Sequence, residues 1–226
     1  MIDVLTFFRR ALLLFCGSLL FACAPSRFVK PLDKGQQAVN VSLGGPLIEF
    51  GGLIIPTPFV TATYGKGFDS TLTGFASLNL TAALYGNAQV EIGAVKQLFR
   101  QNGAAPGISI TPVANVIYRN KNAVKFYPQL DVNAFWDFNQ GRNFFYAGVS
   151  NWFELAKKRS FDREQEHRWL LSPMVGHSFV RRKHNITVEA KIIAPHIRYE
   201  SSIVDYKSPL GKNGAFGIYV GYTKKF

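Results

Sequence analysis

The chain has 226 residues, 47% hydrophobic and only 18% charged, which excludes a disordered chain and suffices for one domain or one closed barrel. Its 26 Lys and Arg outnumber 14 Asp and Glu, a net charge of +12. Aromatic residues reach 14%, led by 20 Phe and 9 Tyr.

Residues 1–22 read as an export signal. Arg9 and Arg10 close a short basic stretch, and an apolar run from Ala11 to Ala22 follows. That run is too short to span a bilayer core of about 30 Å, which takes roughly 20 residues. Two cleavage readings stand side by side. Leu20-Phe21-Ala22-Cys23 resembles the lipobox of bacterial lipoproteins, which implies a lipidated Cys23 at the mature N-terminus. Ala22-Cys23-Ala24 is also an A-x-A site for ordinary signal peptidase, which leaves no lipid. In both readings Cys16 is discarded, so the mature chain has no intramolecular disulfide. Residues 23–35 read as a short periplasmic tether, and 36–226 as the folded unit.

From residue 36 onward the sequence alternates. Weak period-two stretches at 36–49 and 53–65 lead to residues 72–84, where Leu72, Ala76, Leu78 and Leu80 oppose Thr73, Ser77, Asn79 and Thr81. Stretches 88–95 and 108–118 repeat the pattern, with Val90 and Ile92 against Gln89 and Glu91. Residues 124–139 are the clearest: Val124, Phe126, Leu130, Val132 and Trp136 fall on one parity, Gln129, Asp131, Asn133 and Asp137 on the other. Successive side chains of a strand point to opposite faces, so each stretch is a strand with one apolar and one polar face. Stretches 143–155, 168–180, 185–194 and 214–226 complete ten strands, with Glu189 and Lys191 on the polar face of the ninth.

Alternation also suits a soluble sandwich or lipocalin. Three features favour a membrane barrel: mid-strand charges on the polar face with an apolar face nearly free of them, apolar faces rich in Leu, Val, Ile and Ala with aromatics gathered towards strand ends, and the tail GIYVGYTKKF, with Ile218, Val220, Tyr222 and Phe226 in one register. That tail resembles the C-terminal signal of bacterial outer-membrane β-barrel proteins. The resemblance implies that Tyr222 and Phe226 are read by the barrel-assembly machinery. The expected fold is thus all-β: a closed antiparallel transmembrane barrel of about ten strands, eight to twelve being compatible, in the bacterial outer membrane.

Matching polar faces across the turns sets registers. Around 140–143, Asn139 should oppose Phe144, Asp137 Tyr146, Asn133 Ser150 and Gln129 Glu154. Around 181–184, Ser178 should oppose Thr187, Gly176 Glu189 and Met174 Lys191. These short turns then belong to the periplasmic side, and the longer connections 157–167 and 199–213 outside. The loop 98–106 is long for its periplasmic side. Trp136, Phe138 and Phe145 beside the 140–143 turn form a periplasmic aromatic girdle.

Catalytic patterns fail here. Ten-stranded outer-membrane proteases resemble this architecture, but Asp137 falls at the wrong end and His167 and His196 lack an Asp in register. His177 and Ser178 are adjacent and face opposite ways. No G-x-S-x-G, metal-ligand spacing or phosphate-binding glycine loop occurs in the mature chain, so the expectation is no enzyme, no cofactor and no metal, with an outer-membrane lipid- or peptide-modifying enzyme as an alternative. The inward polar residues Glu91, Gln129, Asp131, Asn133, Glu154, Glu189 and Lys191 should meet at mid-height. They read as a polar side-chain-filled lumen or, alternatively, the lining of a narrow pore. Lys157, Lys158, Arg159, Arg163, Lys207 and Lys212 make two basic external loops. They suit lipopolysaccharide, an acidic glycan or a protein partner, not nucleic acid.

Overall fold

The structure, a computed structural model, describes residues 27–119, 123–155, 164–198 and 205–226. Its strands are β1 (Gln37–Phe50), β2 (Leu53–Pro56), β3 (Phe59–Asp69), β4 (Leu72–Asn79), β5 (Asn87–Phe99) and β6 (Gly107–Arg119). They continue as β7 (Ala123–Phe138), β8 (Asn143–Phe153), β9 (Trp169–Val180), β10 (His184–Arg198) and β11 (Asn213–Lys225). A single helical turn, α1 (Leu80–Leu84), sits between β4 and β5.

Neighbours in sequence pair antiparallel, and β11 returns to β1 from Ala38↔Lys225 to Pro46↔Gly217. Ten strands thus close on themselves, while β2 stands outside the ring, paired with the end of β1. Closure satisfies the backbone of every wall strand, which lipid requires. The alternation decides which side is which. Asn40 and Ser42 are 3% and 1% exposed, whereas Val39 and Val41, which alternate with them, are 38% and 43% exposed. In β7, Gln129, Asp131 and Asn133 are buried, while Leu130 and Val132 face out. Hydrogen-bonding side chains therefore fill the inside and aliphatic ones coat the outside, the reverse of a soluble barrel. No helix among the described residues is long and apolar enough to cross a membrane.

Both ends of the barrel chain lie at one rim, called here the terminal rim. The turns 70–71, 139–142 and 181–183 lie there too, while β8 and β10 end, and β9 and β11 begin, at the far rim. The loop 100–106 also lies at the terminal rim, and it has a task. Strand β6 ends its pairing at Gly107↔Phe135. Gln101 then takes over: its Oε1 accepts from Asp137 N at 2.5 Å, and its Nε2 donates to Asp137 O at 3.2 Å.

Four details differ from the sequence reading. The stretch 53–65 is two strands, because Pro56 and Pro58 lack the N–H a ladder needs and Thr57 folds back, its N donating to Pro46 O at 2.9 Å. Residues 80–84 are helical, since Asn79 Oδ1 caps the turn by accepting from Ala82 N at 2.9 Å. The register of β7 with β8 is slipped by two residues: Asp137 opposes Phe144, Asn133 opposes Gly148 and Gln129 opposes Trp152. Asn139 and Gln140, at φ 53° and 56°, are consumed in the turn, and a slip of two leaves every face unchanged. Between β9 and β10 the pairs are Ser178↔Thr187, Gly176↔Glu189 and Met174↔Lys191, as face matching requires.

The fourth difference concerns residues 27–35. They do not trail as a tether but turn into the barrel, where Phe28, Val29 and Leu32 are 8%, 6% and 5% exposed.

Candidate functional site within the barrel

The segment RFVKPLDKG enters the lumen by way of a reversal at the terminal rim. Gly35, at φ 78°, adopts the left-handed conformation that lets the chain turn from the lumen into β1. Gly35 N donates to Gly67 O, and Gly67 N to Gln36 O, both at 2.9 Å. Space for the segment comes from missing side chains. A Cβ on Gly67 would collide with the Asp33 carbonyl, and one on Gly65 with the Phe28 ring. Further in, Leu32 N donates to Thr73 Oγ1 at 2.7 Å and Ser109 Oγ donates to Val29 O at 2.6 Å. Phe28 packs edge-on against Phe75, with centroids 6.4 Å apart.

Arg27 carries the segment's charge to the wall. Its Nη2 lies 2.6 Å from Glu91 Oε2, and its Nε donates to the same oxygen at 2.7 Å. Nη1 stands 3.6 Å from Asp131 Oδ2. Gln129 joins the two halves, accepting from Asn115 Nδ2 at 3.1 Å and donating to Asp131 Oδ1 at 2.8 Å and Ser150 Oγ at 3.0 Å. Arg27, Glu91 and Asp131 side chains are 5%, 3% and 11% exposed. Charges so far from water persist only when paired and hydrogen-bonded. Nearer the rim, Lys30 Nζ lies 2.5 and 2.6 Å from the two Asp137 oxygens, and 5.1 and 5.3 Å from the Phe135 and Phe144 ring centres.

A second buried group stands apart. Tyr146 OH donates to Glu189 Oε2 at 2.7 Å, Lys191 Nζ lies 3.3 Å from Glu189 Oε1, and the same ammonium sits 5.5 Å from the Tyr219 ring centre. Gly176 makes room for it, since a Cβ there would overlap the Tyr146 ring and hydroxyl.

The seven inward residues singled out in the sequence therefore do not form one cluster. Glu91, Gln129 and Asp131 come together around Arg27, and Glu189 pairs with Lys191. Asn133 is buried against Gly148. Glu154, half-buried towards the far rim, bonds the Tyr127 hydroxyl. Glu91, Asp131 and Asp137 all receive their cation from residues 27–30. Sequence reasoning missed Arg27, Lys30 and Tyr146. A signal existed: three large apolar residues in nine are too many for a free linker.

At the far rim, Lys207 Nζ bonds Asp205 Oδ2 at 2.8 Å and Glu49 Oε2 at 2.5 Å, which raises its pKa from the ordinary lysine value, the Asp205 bond first. Lys207 N donates to Leu47 O and Glu49 N to Asp205 O, so the β1–β2 hairpin is bound to residues 205–207 ahead of β11. Lys212 is exposed. Cys23, Lys157, Lys158, Arg159 and Arg163 lie outside the described residues. Tyr222 and Phe226 are 45% and 69% exposed at and near the terminal rim. His167 and His196 face each other with ring centres 6.5 Å apart, and His196 Nε2 lies 3.0 Å from Trp169 O. Among the described residues no trio of His, Cys, Asp or Glu could hold a metal ion.

Several solved structures align with this chain. The NanC porin aligns at TM-score 0.47 and 7% identity over 84% of this chain and 100% of its own. An outer-membrane channel from Pseudomonas putida F1 aligns at 0.45 and 9%, over 90% and 100%. The outer-membrane protein OprG from Pseudomonas aeruginosa aligns at 0.30 and 11%, over 88% and 99%. No protein-family model matches the sequence, and no curated relative does.

Proposed function

We propose that this chain is an outer-membrane barrel whose lumen is closed by its own N-terminal segment, and that it works through the surfaces at its two rims, without catalysis. The observation that carries the reading is Arg27 seated between Glu91 and Asp131, with Phe28, Val29 and Leu32 buried behind it. A passage for solutes needs mobile water along its axis. Here the axis is crossed by a peptide segment, two buried ion-paired groups and the amide network of Gln129 and Asn115. Short turns and both barrel ends make the terminal rim periplasmic, the arrangement usual for this class.

The same reading assigns the removal of residues 1–22 and a lipid on Cys23, which mass spectrometry of the mature protein tests. Tyr222 and Phe226 serve recognition by the barrel-assembly machinery. At the external rim Lys207 is already engaged, so Lys212 and the basic residues of 157–163 are left to meet lipopolysaccharide phosphates or an acidic glycan. Planar-bilayer recording of the purified full chain is the direct test. A silent bilayer is expected; steady conductance steps would overturn the closed-lumen reading in favour of a pore.

A further inference from the structure

The rim with the short turns carries a surface of its own. Arg142, Arg181, Arg182, Lys183 and Lys224 are all exposed there, on three segments that touch. Val180 N donates to Arg142 O at 2.7 Å, and the Arg181 guanidinium donates to Val180 O at 2.9 Å and Arg142 O at 3.4 Å. Lys225 N donates to Lys183 O at 2.8 Å, and His184 stands opposite Lys224 in the ladder. Among the described residues, none of these five cations has a carboxylate within ion-pair distance. Asp137 is turned inward and held by Lys30, and the exposed Asp33 of the same rim acts electrostatically on Lys225.

Directly towards the membrane lies an aromatic layer. Phe138, Phe145, Phe179 and Tyr222 are 44%, 41%, 45% and 45% exposed on the outer face. Lys224 follows Tyr222 by two residues on the same face of β11, a rise of about 7 Å, and Arg181 follows Phe179 just past the end of β9. Lys224 Nζ also stands 5.5 Å from the Phe226 ring centre, and Tyr222 OH lies 2.6 Å from His184 Nδ1, which fixes the ring at that level. An unneutralised cation layer one short step above an exposed aromatic layer matches a phosphate head with glycerol and acyl chains beneath it. A soluble acidic peptide or glycan would meet the charges alone, whereas a phospholipid meets both layers at once.

We infer that this sector binds anionic phospholipid of the adjoining leaflet, with Arg142, Arg181, Arg182, Lys183 and Lys224 holding the phosphate and Phe179 and Tyr222 supporting the glycerol and chain tops. The inference rests on the membrane-barrel reading. The test uses the folded full chain in phosphatidylcholine vesicles with spin-labelled phosphatidylglycerol or phosphatidylcholine as the probe of lipid held at the barrel wall. Phosphatidylglycerol should be preferred by roughly fivefold at low salt, the scale one surface cation contributes, and the preference should fade as salt rises. Changing all five cations to Gln should abolish it, and Arg181→Gln with Arg182→Gln should lower it. Lys207→Gln, at the opposite rim, where the ammonium is already held by Asp205 and Glu49, should leave it intact. Retention of the preference in the five-residue variant, its loss in the Lys207 variant, or its displacement by a soluble acidic peptidoglycan fragment would each overturn the inference. Failure of the unaltered chain to insert into vesicles would instead fell the barrel reading beneath it.

Discussion

The Arg27 guanidinium lies 2.6 Å from the Glu91 carboxylate across 64 positions of sequence, and both side chains are almost fully buried. One residue of the N-terminal segment thereby neutralises the wall of the barrel. Removing it strands Glu91 beside Asp131. Arg27→Ala should therefore destabilise the folded barrel by about 3 kcal/mol, the scale for breaking a buried pair from one side. Glu91→Gln in the same chain should restore much of the loss. Urea unfolding of the refolded protein reads both effects; simple additivity of the two changes would show that the pair is not coupled.

Gly67→Ala attacks the same segment from the wall. The added Cβ meets the Asp33 backbone, which has no flexible end to move aside. Residues 27–35 should leave the lumen, and Glu91, Asp131 and Asp137 should lose their cations. Conductance absent from the unaltered chain should then appear, selective for cations. Anion selectivity, or continued silence with the segment accessible to protease, would contradict the role given to it.

Tyr146→Phe removes the donor to Glu189 Oε2 and leaves the ring in place. A hydrogen bond to a charged group is worth about 1.5–3 kcal/mol, so a loss of that size is expected in the same unfolding assay. Gly176→Ala should reproduce it by displacing the Tyr146 ring.

Val132 is 39% exposed on the outer face near the middle of β7, between buried Asp131 and Asn133. Val132→Arg should cost about 2–4 kcal/mol of stability in vesicles if that face meets the bilayer midplane. An unchanged vesicle stability would place Val132 away from lipid.

The hairpin of β1 and β2 is tied down by Lys207. Because its pKa is raised in the folded state, the contact contributes fully below the ordinary lysine value and fades as pH climbs through the raised one. Proteinase K should spare the exposed Phe50–Leu53 tip relatively well at pH 8 and cleave it faster above about pH 10.5, the ordinary lysine value. Lys207→Gln should cleave fast at both.

What the sequence determined by itself was local. The side chains of a strand alternate with period two wherever the strand runs, so the strands, their polar and apolar faces, the barrel class and the β9–β10 register could be read from residue order. Asn79 as a cap, Pro56 and Pro58 as breaks and the left-handed Asn139 and Gln140 were local too, but their signals were overrun by the surrounding alternation. A two-residue slip between β7 and β8 leaves both faces unchanged, so face matching could not detect it. The place of residues 27–35 was decided by tertiary structure alone. Nothing in RFVKPLDKG names Glu91, Asp131 or Asp137 as partners, and only closure of ten strands brings those carboxylates around a cavity of the right width. There, desolvation turns an unremarkable arginine into the counter-charge the interior requires.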